Sequence, residues 1–142
     1  MMPSRRSRPL AMAIAGLLLS APMLARAVDL TVEVVGAAGA QGTIDAALYD
    51  SPATWMKTPL QGQRATAADR AVLVYRGLAP GRYAVSLFQD ANGNGRLDTN
   101  IAGVPTERYG FSRDARGLMG PPAFDDAALD LREDTTLVIH LR

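Results

Sequence analysis

Short oxygen-bearing side chains recur between residues 90 and 98 at the spacing of a calcium-binding loop. Asp90, Asn92 and Asn94 occupy alternate positions, a glycine follows at residue 95, and Asp98 comes three residues later. In the twelve-residue calcium loop, these are positions one, three, five, six and nine, and the carbonyl of residue 96 takes position seven. Because carboxylate and carbonyl oxygens suit a hard cation, the sequence predicts a calcium site formed by Asp90, Asn92, Asn94, Arg96 and Asp98.

The match to the calcium loop covers only its first half. Position twelve should be a bidentate glutamate and is Ile101 here, so a further oxygen would have to come from Asn100, Glu107, Asp50 or water. With two carboxylates in the motif, we expect weak binding, with a Kd on the order of 10⁻⁴–10⁻³ M. The Asn-Gly pairs at 92–93 and 94–95 are also strong turn signals, and a double turn without metal is an equally good interpretation.

Catalytic arrangements find less support in the sequence. His140 is the single histidine and there is no cysteine, which excludes cysteine nucleophiles and zinc clusters of histidine and cysteine. Two arrangements come into question: a triad of Ser112, His140 and an aspartate, and a pair of Asp98 and Glu107 acting as acid and base on a glycan. Spacing favours neither, because loops carry carboxylates routinely. The sequence favours a non-enzymatic role over an enzyme, and a glycan-directed hydrolase of the cell envelope is the alternative function.

The first 27 residues have the order of a secretory signal peptide. Three arginines lie within residues 5–8, an apolar run follows from residue 10 to 19, and Ala25-Arg26-Ala27 provides a small-residue exit. The run is too short for a membrane span, and no later segment is long enough for one. We therefore expect cleavage after Ala27, a single domain over residues 28–142, and a periplasmic or secreted location.

Removal of this leader changes the charge balance. The leader holds four of the 15 Lys+Arg residues and none of the 14 Asp+Glu residues, so the mature chain is mildly acidic. A mildly acidic domain without a basic run is not expected to bind nucleic acid. The expected partner is an unidentified ligand of the envelope or the extracellular space.

Alternating apolar residues predict the strands that position the loop. Strands are expected at residues 29–35, 44–49, 71–75, 82–89 and 135–141, with the first two pairing antiparallel. The strand at 82–89 is apolar on both faces, which predicts a central position and delivers Asp90 into the loop. Residues 124–131 are typical of a short edge strand.

Two segments, 50–70 and 91–123, lack this periodicity and are predicted to be connections, the second one a long ordered loop. Within the first, Trp55 is either an aromatic that stacks on a ligand or a lid at one end of the fold. The fold class is therefore all-β, an antiparallel β-sandwich of about seven strands. The predicted inward-facing residues are Leu30, Val32, Ile44, Leu48, Val85, Leu87, Leu137 and Ile139.

Four sequence motifs together resemble a known bacterial family. They are Gly-Leu-Ala-Pro-Gly-Arg-Tyr-Ala-Val at 77–85, Phe-Gln-Asp-Ala-Asn-Gly-Asn-Gly-Arg-Leu-Asp-Thr-Asn at 88–100, Gly-Val-Pro-Thr-Glu-Arg-Tyr-Gly-Phe-Ser at 103–112 and Gly-Pro-Pro-Ala-Phe at 120–124. The chain resembles the exported family catalogued as domain of unknown function 2141 over essentially its whole mature length. One departure is Gln89, where the family pattern has a histidine before the aspartate.

The resemblance implies a periplasmic or secreted sandwich of the prealbumin or immunoglobulin type. It implies no activity, because none is established for the family. Combined with the loop, it predicts an exported, non-enzymatic β-sandwich module in which a calcium-type site orders a binding surface.

Overall fold

The computed structural model describes residues 24–142. The predicted signal peptide falls mostly on residues 1–23, outside the described residues. Leu24 to Ala27 are exposed and belong to no strand, and the first strand begins at Val28, which is only 3% exposed.

Eight strands form two sheets that face each other, which confirms the all-β sandwich. The strands are β1 (Val28–Val35), β2 (Thr43–Tyr49), β3 (Gln61–Thr66), β4 (Arg70–Leu78), β5 (Gly81–Asp90), β6 (Tyr109–Phe111), β7 (Leu129–Leu131) and β8 (Thr135–His140). The smaller sheet has the order β4-β1-β8, and the larger has the order β3-β2-β5-β6, with β7 also paired to β5. One short helix, α1 (Phe124–Ala127), and a single 3₁₀ turn at Ser112–Asp114 interrupt the loops of the described chain.

The expected pairing of the first two strands is wrong. β1 pairs antiparallel with β4 and parallel with β8, whereas β2 lies in the other sheet between β3 and β5. Both strands do turn an apolar face inward, but these faces meet across the core. Alternation fixes which face of a strand is buried and does not fix which strand lies beside it.

Two strands lie in segments that were predicted to be connections. β3 has the sequence Gln-Gly-Gln-Arg-Ala-Thr, which has no large apolar residue, and it forms an edge by backbone pairing with β2. β6 has three residues and pairs with the middle of β5. The expected edge strand at 124–131 is also shorter, because its first half forms α1 and only β7 is extended. Backbone pairing with an existing sheet requires no alternating pattern in the added strand.

The core between the sheets contains the predicted residues. Seven of the eight are buried, and the last strand faces inward at Ile139 and Leu141 and outward at Val138 and His140, as predicted. Leu137 is only partly buried and packs against the core cluster. The central position of β5 is confirmed as well, because it pairs with β2, β6 and β7.

A second apolar cluster, the Trp55 cluster, covers part of the outer face of the larger sheet. Trp55 lies at its centre, 9% exposed, with Tyr49 edge-on at 5.0 Å and Phe124 of α1 at 6.0 Å between ring centroids. The indole N–H donates a hydrogen bond to the Pro122 carbonyl at 2.8 Å. Trp55 therefore fastens two connections onto the outer face of a sheet, which corrects the expectation of a lid at the end of the sandwich.

Candidate metal loop and adjoining groove

The loop begins at Asp90, the last residue of β5, whose carboxylate is almost completely buried. Asp90 is 1% exposed; its Oδ1 accepts the N–H of Asn94 at 3.1 Å and its Oδ2 accepts the N–H of Gly95 at 2.8 Å. These bonds fold the chain back over the strand end, with Gly95 at a φ of 78° that favours glycine. Gly42, which is also at positive φ, packs against the backbone of Asp90 so closely that a Cβ at residue 42 would lie 1.9 Å from the Asp90 carbonyl oxygen.

Asp98 accepts hydrogen bonds from both asparagine side chains of the motif. Its Oδ1 accepts the Asn94 amide at 2.7 Å, and its Oδ2 accepts a short hydrogen bond from the Asn92 amide. The asparagine oxygens accept loop N–H groups: Asn92 Oδ1 from residue 94, and Asn94 Oδ1 from residue 96. The structure therefore brings the four predicted side chains, those of Asp90, Asn92, Asn94 and Asp98, into one continuous hydrogen-bonded network.

The fifth predicted residue, Arg96, lies in the same loop with an exposed side chain. Its guanidinium Nε is 3.9 Å from Asp98 Oδ1, a distance at which an exposed ion pair contributes little to stability. Its carbonyl is the atom that the calcium-loop template assigns to a cation. The network therefore contains two carboxylates, those of Asp90 and Asp98, and the Arg96 guanidinium lies near the second of them.

Of the proposed sources of a further oxygen, Glu107 is the nearest to the network. Its two carboxylate oxygens accept the N–H groups of Ala91 and Asp98, each at 3.0 Å, and so bridge the two ends of the motif. Asn100 Oδ1 instead closes its own turn by accepting the N–H groups of Ala102 and Val104. Asp50 follows the far end of β2, because the near end of β2, Thr43, pairs with Asp90. Asp50 therefore lies too far away to contribute.

The loop depends on amide oxygens to complete any metal site. Within residues 24–142 no three side chains of the His, Cys, Asp and Glu types are grouped so that they could hold a metal ion. A cation in this loop would therefore be coordinated by two carboxylates together with Asn and backbone oxygens, a set that suits calcium and not zinc.

Gln89, the residue before Asp90 on β5, is buried. Its Oε1 accepts the Ala38 N–H at 2.7 Å, and its Nε2 donates to the carbonyls of Ala38 and Gln41. Gln89 thus fastens the turn between β1 and β2 to the end of β5. This turn contains Gly42, which packs against the backbone of Asp90. The hydrogen bonds of Gln89 therefore also hold Gly42 in its position beside Asp90.

The catalytic triad considered from the sequence is not formed. The Ser112 hydroxyl is buried and donates to the Ala127 carbonyl at 2.6 Å, while His140 Nδ1 lies 2.7 Å from an Asp114 oxygen at the surface. Burial tends to raise the pKa of Asp114, but hydrogen bonds from the backbone N–H and ring of His140 outweigh it and hold the pKa below its ordinary value. Ser112 has no part in this pair and serves instead to join β5, β6 and α1.

A groove of about 570 Å³ lies on the part of the larger sheet that the Trp55 cluster leaves uncovered. Its floor is a cross-strand row of small residues: Gly62 on β3 pairs with Ala47 on β2, which pairs with Ser86 on β5. The neighbouring row is large, with Arg64, Asp45, Phe88 and Tyr109 side by side. Small side chains between larger ones produce the depression, because alternate residues of a strand point to the same face.

The candidate metal loop forms one wall of this groove. Gly95 and Leu97 line it from the loop side, and Tyr49 and Met56 line it from the side of the Trp55 cluster. At the polar end, Arg64 holds Asp45 through two hydrogen bonds of 2.7 Å, and this bonding keeps the pKa of Asp45 below its ordinary value despite partial burial. The sequence does not predict the groove, since its floor depends on the register of three strands and one of them, β3, lacks an alternating apolar pattern.

None of the helices described between residues 24 and 142 has the length and hydropathy needed to cross a membrane. Searches among curated proteins and among solved structures found nothing that matches the chain. A family model described as "uncharacterized protein conserved in bacteria", domain of unknown function 2141, matches residues 32–139, from β1 to β8. Because this match spans most of the chain and includes the loop, both sheets and the groove, the protein belongs to that family.

Proposed function

We propose that the protein is an exported binding module in which calcium in the 90–98 loop stiffens one wall of the groove. The observation that carries this proposal is the position of the loop. The side chains of Asp90, Asn92, Asn94 and Asp98 share one network, and residues of the same loop line the groove. A ligand-dependent change in that network would therefore reach the groove directly.

Calcium is the cation that fits the donor set. Asp90 and Asp98 supply negative charge, and the two asparagines supply neutral oxygens once their amides rotate, which exchanges an N–H₂ that faces Asp98 for a carbonyl oxygen. Glu107, which accepts the N–H groups of residues 91 and 98, holds the two ends of the loop together beside these oxygens. Flexible oxygens of this kind suit the irregular coordination of calcium better than the strict octahedron of magnesium.

Export is the second part of the proposal, and the position of the first strand supports it. β1 begins at Val28, directly after the expected cleavage site, while residues 24–27 are exposed and make no strand. Removal of the preceding residues would leave the described sandwich intact. An extracellular or periplasmic location also suits a calcium affinity in the range of 10⁻⁴–10⁻³ M, which is typical of extracellular modules.

Thermal unfolding in EDTA and in calcium tests the metal part of the proposal. A ligand that binds only the folded state stabilises it by RT ln(1 + [L]/Kd), which is about 2.7 kcal/mol for a Kd near 10⁻⁴ M in about 10 mM calcium. For a domain of this size the Tm should rise by several degrees. The rise should disappear in Asp98→Ala and persist in Asp130→Ala, because Asp130 lies on β7 in an exposed pair with Arg132. Identical melts in EDTA and calcium would contradict the proposal and leave the double Asn-Gly turn as the explanation.

A glycan-directed hydrolase is the second candidate, and the groove is the observation that favours it. Glycoside hydrolysis uses two carboxyl groups on either side of the scissile bond, one of them protonated. Among the described residues that line the groove, one has a carboxylate, Asp45, and Arg64 holds that carboxylate in its ionised form. This geometry favours binding over hydrolysis. Release of reducing sugar by the wild-type protein, lost in Asp45→Asn, would reverse that order.

A further inference from the structure

We propose that the groove binds one neutral pyranose ring of a glycan, with Gly62, Ala47 and Ser86 beneath it and Arg64 and Asp45 at its polar end. This inference rests on the proposed binding role and names the ligand class. The volume of the groove, about 570 Å³, lies within the range of small-molecule sites. The floor spans three adjacent strands, roughly 10 Å, which accommodates one six-membered ring with its hydroxyl groups.

The groove combines an apolar body with polar groups at its edge, and a sugar ring has the same character. Phe88 and Tyr109 lie side by side next to the floor, and Phe111 ends the small-residue row. The C–H face of a pyranose is apolar and packs on aromatic side chains, while its hydroxyl groups need both donors and acceptors. Ser86 and the Asp45–Arg64 pair supply both kinds of group.

The charge of the groove selects a neutral ligand. Arg64 Nε and Nη2 each donate to a separate oxygen of Asp45 at 2.7 Å, so the two charges cancel locally. A phosphate or carboxylate ligand would have to compete with Asp45 for Arg64, and a cation would have to compete with Arg64 for Asp45. A hydroxyl group avoids this competition, because it can donate to the carboxylate and accept from the remaining Arg64 nitrogen, Nη1.

The backbone at the groove is strained on one side. Met56, which lines the groove beside Tyr49, has a φ of 57°, a left-handed conformation that is unusual for this residue type. Such strain is concentrated at binding sites, where the surrounding structure holds a side chain in a required position.

Opposite Met56, the loop residues Gly95 and Leu97 form the other wall of the groove. Calcium in the loop should therefore raise the affinity for sugar, and sugar should raise the affinity for calcium by the same factor.

Calorimetric titration of the purified protein with three neutral probes, cellotetraose, maltotetraose and chitotetraose, tests the proposal. At least one should bind saturably below about 10 mM, and Gly62→Leu should weaken that binding at least about tenfold. A Cβ at Gly62 would have only the Ala46 carbonyl oxygen within 4 Å, at 3.9 Å, so the leucine fits the strand and fills the floor. Thr66→Leu is the matched control: it lies on the same strand and face, beyond Arg64, and should bind as the wild type does.

Three results would overturn the sugar proposal: no binding of any probe, equal binding by Gly62→Leu, or a dimer in sedimentation that Gly62→Leu dissociates. The last result would assign the groove to a second copy of the chain. The calcium proposal fails separately. Sugar binding without any calcium-dependent rise in Tm would leave the groove assignment intact, whereas a rise in Tm without sugar binding would refute only the ligand class.

Discussion

Asp90→Asn separates the structural role of the loop from its metal role. Both oxygens of the buried Asp90 carboxylate accept backbone N–H groups, one from Asn94 and one from Gly95. An asparagine can present only one oxygen. In either orientation of its amide, the N–H₂ group therefore faces a backbone N–H. The N–H of Gly95 would lose its acceptor, whereas the N–H of Asn94 would keep only its second acceptor, Asn92 Oδ1 at 3.2 Å.

The expected loss follows from these two contacts. A hydrogen bond to a charged acceptor contributes about 1.5–3 kcal/mol. Asn94 and Gly95 are exposed, so water replaces part of the lost interaction and no full desolvation penalty is added. We expect Asp90→Asn to lower the free energy of unfolding by about 1.5–3 kcal/mol in EDTA. For a domain of this size, the Tm should fall by roughly 10 °C.

Asp98→Asn is the matched comparison, because it makes the same chemical change in the same network at a position that is only partly buried. Its partners are the side-chain amides of Asn92 and Asn94, which can rotate and exchange with water. This variant should therefore lose less than about 1 kcal/mol in EDTA. In calcium, both variants should lack the rise in Tm of the wild type, because each removes one of the two carboxylates of the motif.

Urea unfolding followed by the fluorescence of Trp55, the single tryptophan, measures both variants. Trp55 is buried in the cluster on the outer face of the larger sheet, away from Asp90, and so reports global unfolding. Equal stability of Asp90→Asn and Asp98→Asn in EDTA would refute the reasoning. An Asp90→Asn protein within about 0.5 kcal/mol of the wild type would refute it as well, since surface substitutions have effects of that size.

Three further predictions concern the core and the leader. The Tyr75 hydroxyl is buried among the described residues without a hydrogen-bond partner, so Tyr75→Phe should raise the free energy of unfolding by about 1 kcal/mol in a urea titration. Burial, with a smaller contribution from Tyr49, raises the pKa of Tyr75 far above 10.0; the wild type should therefore lose stability above pH 10, where only the unfolded chain ionises, and Tyr75→Phe should lose less. Export predicts that protein recovered from the cell envelope begins at Val28, and N-terminal sequencing that reads Met1 in such protein would contradict it.

The sequence by itself determined the local features of this fold. Alternation in β1, β2 and β8 indicated which side chains face the core, and the doubly apolar β5 indicated a central strand. The Asx and glycine spacing after Asp90 indicated an ordered loop whose polar side chains converge, and these side chains do share one network. Each of these features depends on residues a few positions apart, so the pattern contains the necessary information.

Only the tertiary structure decided which strands are neighbours and where a ligand fits. The placement of β1 and β2 in different sheets, and the recruitment of β3 and β6, depend on backbone pairing between segments distant in the chain. The groove exists because Gly62, Ala47 and Ser86 fall in one row, and a shift of one residue in either pairing would place a large or inward-facing side chain there. Register is a relation between strands, and for that reason no single stretch of sequence could reveal this site.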